Sequence, residues 1–384
     1  MKAIINGKIV TENKIIEDKI LLFNDKIIGF CDQVEENVEI VDAKGLYICP
    51  GLIDIHVHGS CNCDVMDRSL QSIRAIGNGI KENGVTSFLP TTMSMSKDDI
   101  YGALDTIREA MNIKYDGAQI LGAHLEGPFI NSKYKGAQSD KFIQVPNFSF
   151  IENYIDVIKI ISYAPEVDDS LNFTKEVKNK TDITLSIAHT NATYEEAKLA
   201  IKLGASSVTH LFNAMTPLNH REPGVVGAAF TSDVFCEIIC DNIHVNPQLF
   251  QFVLNNKGKD KVILISDCMR AGCMADGKYD LGGQDVFVND GVARLASGTL
   301  AGSVLRLNKA VYNYKKHTNL SINDAINLAS LNPAKSINMH KTKGSLDMNK
   351  DADIALFDEE FNCYMTISHG EIIFNNLNKL LNIL

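Results

Sequence analysis

Eight short runs of β-type apolar residues alternate with helix-period segments through the middle of the chain, and this alternation constrains the fold more than any other feature. The runs are Leu52–Val57, Thr86–Pro90, Ile120–Glu126, Ile158–Ala164, Thr184–Ala188, Ser207–Phe212, Phe235–Cys240 and Val262–Ser266. Amphipathic stretches such as Leu70–Glu82, Lys97–Met111, Tyr194–Leu203 and Pro247–Asn256 fall between them. Strands buried on both faces and joined by helical crossovers must run parallel, and eight of them predict a (β/α)8 TIM-type barrel.

Both chain ends read differently. Alternating strands are predicted at Lys2–Ile5, Lys8–Val10, Lys19–Phe23 and Lys26–Phe30, and again at Asp353–Phe357, Cys363–Ser368 and Glu371–Phe374. Chain termini commonly lie close together. Residues 1–50 plus 341–384 are therefore expected to form one small β-sandwich-like domain beside a catalytic barrel of residues 51–340.

The net charge of −10 disfavours nucleic acid and anionic membranes as partners. An anionic small substrate would need a local group of cationic side chains and backbone N–H donors. The opening MKAIINGKIV lacks a basic segment followed by an apolar one, and later apolar runs are short, so neither a leader nor a membrane span is expected. A cytoplasmic location is the default. The nine cysteines are odd in number and irregularly spaced. The pairs Cys61/Cys63 and Cys236/Cys240 lack the second pair a zinc site would need, and reduced, buried thiols are expected.

In barrels the reactive residues stand at the C-terminal ends of strands. Here the first run ends in His56-Val57-His58, which puts both imidazoles on one face. The third ends in His124-Leu125-Glu126-Gly127-Pro128, the fifth in His189, the sixth in Thr209-His210 and the eighth in Ser266-Asp267. Any one of these could be a hydrogen-bonded structural residue. Five strand ends carrying His, Glu or Asp together describe a metal site with an acid/base group beside it. His124 reads as a supporting residue, and His317, His340 and His369 as surface residues.

At these positions the chain resembles the N-acetylglucosamine-6-phosphate deacetylases of the amidohydrolase superfamily. The matching segments include PGLIDIHVHG (50–59), GAHLEGPFI (122–130), AHTNATYEEA (188–197), THLFNAMTPLNHREPGVVGAA (209–229), CDNIHVNP (240–247), ISDCMRAG (265–272) and GTLAGS (298–303). The resemblance extends over essentially the whole chain.

It implies that Glu126, His189 and His210 are the principal metal ligands, and that His56 and His58 supply a second metal position with Glu126 shared between the ions. It makes Asp267 the catalytic Asp, accepting a proton from metal-activated water and passing it to the departing amine. It implies phosphate contacts from Arg221 and the main chain at Asn213 and Ala214, and sugar contacts from His244, Ala137, Leu300, Ala301 and Gly302. The implied cofactor is a divalent metal, one or two ions per subunit, with zinc first and iron(II) also suited to imidazole and carboxylate ligands. A homodimer is implied, because some of these loop residues reach a neighbouring protomer in the family. One departure is Gln138, where many relatives carry His.

Alternatives remain within the same chemistry. Tyr163-Ala164-Pro165-Glu166 closes the fourth run without the lysine that a carboxylated-lysine amidohydrolase requires. The galactosamine epimer differs by one hydroxyl and is not separated by these motifs. A phosphosugar sensor would have no use for a proton shuttle at Asp267.

Overall fold

The computed structural model describes residues 1–168 and 171–382. Six strands form one continuous parallel sheet in chain order: β3 (Ala123–Glu126), β4 (Ile158–Tyr163), β5 (Thr184–Ile187), β6 (Ser207–Val208), β7 (Phe235–Ile239) and β8 (Val262–Ile265). Ahead of them, β1 (Leu52–Val57) and β2 (Val85–Pro90) pair in parallel in a second sheet, with Gln119–Ile120 on the far side of β2. Parallel bridges Val57–Cys268 and Thr91–His124 link the two sheets at their seams. Ile53, Ile55, Leu89, Ile160, Ile239, Ile263 and Ile265 pack into one buried cluster.

Helices are formed where local signals agree with amphipathic spacing. In Tyr194–Leu203, Thr193 and Glu196 make a reciprocal capping box, and Gly204 ends the helix at a φ of 141°. Lys97–Met111 begins on Ser96, whose hydroxyl accepts from the Asp99 N–H, and buries Ile100, Ala103, Leu104 and Ile107.

Two strands depart from the runs predicted above. The run Ile120–Glu126 is broken at Gly122, which has a φ of 146°. The chain therefore pairs with β2 before the break and with β4 after it. Strand β6 stops at Val208 rather than Phe212, because His210 turns the backbone to a φ of 33°. A third difference is an antiparallel sheet of Gly277–Leu281, Gln284–Asn289 and Val292–Leu295, which the sequence reading did not foresee. Its inner face, Leu281, Val286, Val288 and Ala293, packs on Met93 and Met269.

Strands from the two chain ends share one six-stranded sheet in the order Glu371–Asn375, Cys363–Ser368, Ile354–Phe357, Tyr47–Pro50, Lys8–Val10, Ile15–Ile16. A four-stranded sheet of N-terminal strands faces it across a core that includes Ile4, Leu21, Phe23, Ile48, Leu356 and Ile367. Lys343, 2% exposed, places its ammonium 2.6 Å from Asp353 Oδ2 and 2.8 Å from Asp351 Oδ2, and Lys26 also pairs with Asp351. Among the described residues no helix is long and apolar enough to cross a membrane.

Candidate metal centre and active site

His56, His58, Glu126, His189, His210 and Asp267 converge at the C-terminal ends of their strands, and all are buried. Glu126 Oε1 lies 3.2 Å from His189 Nε2, 3.1 Å from His210 Nε2 and 3.4 Å from His56 Nε2. Its Oε2 lies 3.2 Å from His58 Nε2. Asp267 Oδ1 is 3.3 Å from His58 Nε2 and 3.5 Å from His56 Nε2. Among the described residues three groups could hold an ion, Glu126/His189/His210, His56/His58/Glu126 and His56/His124/Glu237, and the last is set aside because both His124 nitrogens are already hydrogen-bonded.

The far side of each ring decides how it presents itself. His58 Nδ1 faces the Thr91 carbonyl at 3.2 Å, His189 Nδ1 the Tyr134 carbonyl at 3.0 Å and His210 Nδ1 the Asn213 carbonyl at 3.1 Å. A carbonyl can only accept, so each Nδ1 carries a proton and each ring turns its Nε2 inward. His189 and His210 then hold Nε2 atoms 3.2 Å apart. Two lone pairs that close repel unless a cation lies between them. A tetrahedral ion with bonds of ~2.0–2.1 Å has donor–donor edges of about 3.3 Å, and imidazole with carboxylate suits a transition ion over calcium or magnesium. The donor set fits a metal.

The titration behaviour of the chain without an ion points the same way. Burial penalises the His58 cation, yet Asp267 and Glu126 raise its pKa well above the usual value, and His56 is also raised. Burial would push the acids up, but His56 and His189 hold Glu126 well below the carboxylate range, and His56 and His58 hold Asp267 at about 2. Positive charge is favoured at the centre of this cluster.

His124 is excluded from ligation by its own hydrogen bonds. Its Nδ1 donates to the Ile55 carbonyl at 2.9 Å, and its Nε2 meets the Ser162 hydroxyl at 2.7 Å. Burial, with His56 beside it, lowers its pKa well below the ordinary value, so it stays neutral. Asp267, His189 and His210 have φ of 49°, 45° and 33°, left-handed backbone that turns the chain sharply as it leaves each strand.

Above the cluster opens a cavity of about 360 Å³. Ala137, Asn213, Ala214, His244, Leu300 and Gly302 line it, together with Lys133, Tyr134 and Gln138. Ala301 is fully buried beneath the rim, with its N–H bonded to the Ala293 carbonyl. His244 Nδ1 is 2.6 Å from Asp241 Oδ2, and burial of the ring is outweighed by that carboxylate, which raises its pKa. Arg221 is not brought to the cavity of its own chain: it is exposed on the loop after β6, with its N–H bonded to Asn219 Oδ1.

Two buried partners of the cluster were not foreseen as such: Gln138, noted in the sequence only as a departure from the family pattern, and Glu237, not singled out at all. Gln138 donates from Nε2 to Glu126 Oε2 at 2.7 Å. Glu237, in the middle of β7, lies 3.3 Å from His56 Nδ1. A lone charge inside the apolar run Phe235–Cys240 was the visible signal for Glu237.

The profile of the amidohydrolase family matches residues 47–373, and the chain belongs to that family. Among characterised relatives it is similar to the N-acetylglucosamine-6-phosphate deacetylase of Bacillus subtilis, at 38% identity over 95% of both chains. It is 32% identical to the N-acetylgalactosamine-6-phosphate deacetylase of Escherichia coli O157:H7, over 95% of this chain and 97% of that one. The crystal structure of N-acetylglucosamine-6-phosphate deacetylase from Pasteurella multocida superimposes with a TM-score of 0.91 at 29% identity, over 97% of this chain and 99% of that one.

Proposed function

We propose that this chain hydrolyses the acetamide of N-acetylglucosamine 6-phosphate, releasing glucosamine 6-phosphate and acetate. The observation that carries the reading is Asp267 Oδ1 standing 3.3 Å from His58 Nε2, at the floor of the cavity, beside the converging imidazoles and Glu126. Similarity to relatives named for this reaction supports it, at 38% identity for the Bacillus subtilis one, and the galactosamine-type relative at 32% falls within the spread of the glucosamine-type ones.

In this reading Glu126, His189 and His210 would hold one divalent ion, and His56 and His58 with Glu126 would hold a second. Zinc is the ion we assign, with iron(II) as the alternative. The metal, when bound, lowers the pKa of water and polarises the acetamide carbonyl. Asp267 is ionised and takes a proton from the water that adds to the acetamide carbon. It then delivers that proton to the nitrogen, so that the C–N bond breaks with an amine rather than an amide anion departing. His244, held by Asp241, contacts the sugar, with Ala137, Leu300, Ala301 and Gly302 around it. Asn213 and Ala214 offer main-chain groups to the phosphate.

We further infer that the two parallel sheets are arcs of one (β/α)8 barrel spanning 51–340, and that residues 1–50 with 341–384 form an end domain. The two seam bridges and the shared six-stranded sheet support this. Exposed Arg221 supports a homodimer in which it reaches the partner's phosphate site. A cytoplasmic setting accords with a sugar-phosphate substrate.

The test is acetate release from the phosphorylated and unphosphorylated N-acetyl sugars of both epimers, after chelation and metal add-back. The glucosamine 6-phosphate series should be preferred and metal-dependent. No acetate from it under any metal overturns the function.

A further inference from the structure

We infer that Glu237 is a positioning residue for the second metal position, holding His56 in the orientation that makes His56 and His58 a usable ion site. This deepens the two-ion reading above and rests on it.

Glu237 is fully buried in β7, and its Oε2 lies 3.3 Å from His56 Nδ1. Its other oxygen, Oε1, has no hydrogen-bond partner. A carboxylate taken wholly out of water and left half unpaired is costly unless positive charge lies close by. The neighbouring ring that could answer instead is His124, and both its nitrogens are committed, to Ile55 and Ser162. Ser162 in turn meets Thr209, which meets Ser186, so the rest of this polar layer is closed on itself. The compensation must come through His56.

His58, His189 and His210 are each steadied by a neutral carbonyl at Nδ1. Among these four rings, His56 is the one whose Nδ1 is set against a carboxylate. A carboxylate accepting the Nδ1 proton fixes the tautomer and makes Nε2 a stronger electron donor. That Nε2 lies 3.3 Å from His58 Nε2 and 3.4 Å from Glu126 Oε1. The Glu237 side chain therefore acts on the ion position formed by His56, His58 and Glu126, while its link toward His210 is through the main chain, where the Leu211 N–H donates to the Glu237 carbonyl at 2.8 Å.

The experiment counts zinc per chain by mass spectrometry, with titration against a competing chelator, for the parent, E237Q and E237L. Melting curves in chelator check that each variant folds. The parent should take two ions. E237L should keep the first at unchanged affinity and lose the second by about 10–100-fold, the scale on which such supporting partners act. E237Q keeps an oxygen that can accept the Nδ1 proton but not the charge, and should weaken the second ion by about tenfold or less. Unchanged second-ion affinity in E237Q and E237L overturns the role of Glu237 while leaving two ions in place. If E237L does not fold, an unchanged E237Q is sufficient to overturn it. A parent that takes one ion overturns the two-ion reading and this inference together. Acetate release is scored separately, so failure of the proposed reaction is distinguishable from either result.

Discussion

Gln138 and Glu126 are joined by a single buried hydrogen bond, Nε2 to Oε2 at 2.7 Å, and the same amide accepts the Ser94 N–H at 2.7 Å through its Oε1. The amide is thereby locked at both ends, and Glu126 has its Oε2 steadied beside His58 while Oε1 faces His56, His189 and His210. A side chain that lies between a strand-end carboxylate and a loop N–H sets the carboxylate's rotation as well as its position.

Replacing Gln138 with Leu should therefore weaken metal binding by about tenfold and lower stability by about 1–3 kcal/mol, because the Ser94 N–H is left buried without a partner. Chelator competition and thermal unfolding measure the two effects. Binding and melting indistinguishable from the parent would refute the locking role.

Asp267→Asn should leave the ion count unchanged and reduce acetate release by about 10²–10⁴-fold, the usual contribution of a positioned proton carrier. Turnover within a few-fold of the parent would place the proton transfer elsewhere.

His244 answers to Asp241. Burial opposes the charged ring, but the carboxylate 2.6 Å away raises its pKa above the ordinary range. A raised histidine value means that the pair's stabilisation is complete below about pH 6.5 and fades as pH climbs through the folded value. Asp241→Asn removes the carboxylate charge, so the imidazolium is lost at lower pH. The alkaline limb of kcat/KM for the phosphorylated sugar should move down, with KM raised roughly tenfold for a weakened charge-assisted hydrogen bond. A pH profile that does not move would count against His244 as a charged contact.

Lys343→Met should destabilise the protein by about 3–5 kcal/mol, since it strands the Asp353 carboxylate within the fold and leaves Asp351 with Lys26 as its remaining lysine partner. Denaturant unfolding tests it. The double change with Asp353→Asn should recover part of the loss.

Much of this architecture could be read from residue order. Leu52–Val57 and Lys97–Met111 fall where their apolar spacing put them, because pattern and propensity agree there. Glu126, His189, His210 and Asp267 stood out as polar residues ending apolar runs. Glu237 and Gln138 did not, since their partners lie 181 and 12 residues away and depend on strand register and loop path. The antiparallel sheet at Gly277–Leu295 was missed for a related reason. Its alternation in Gln284–Asn289 is sound, but the Met93 and Met269 surface that makes it worth folding comes from distant segments. The exposure of Arg221 was equally beyond reach, because a loop's direction is set by tertiary packing rather than by composition.

The left-handed backbone at His189, His210 and Asp267 has a consequence for stability. Glycine would occupy such a conformation more comfortably than any residue with a Cβ, by roughly 1 kcal/mol at each position. Replacement by glycine would relieve that backbone strain and give up the side chain's contacts with the cluster. Under the proposed function, each of the three positions accepts a less comfortable backbone for the sake of the group it carries.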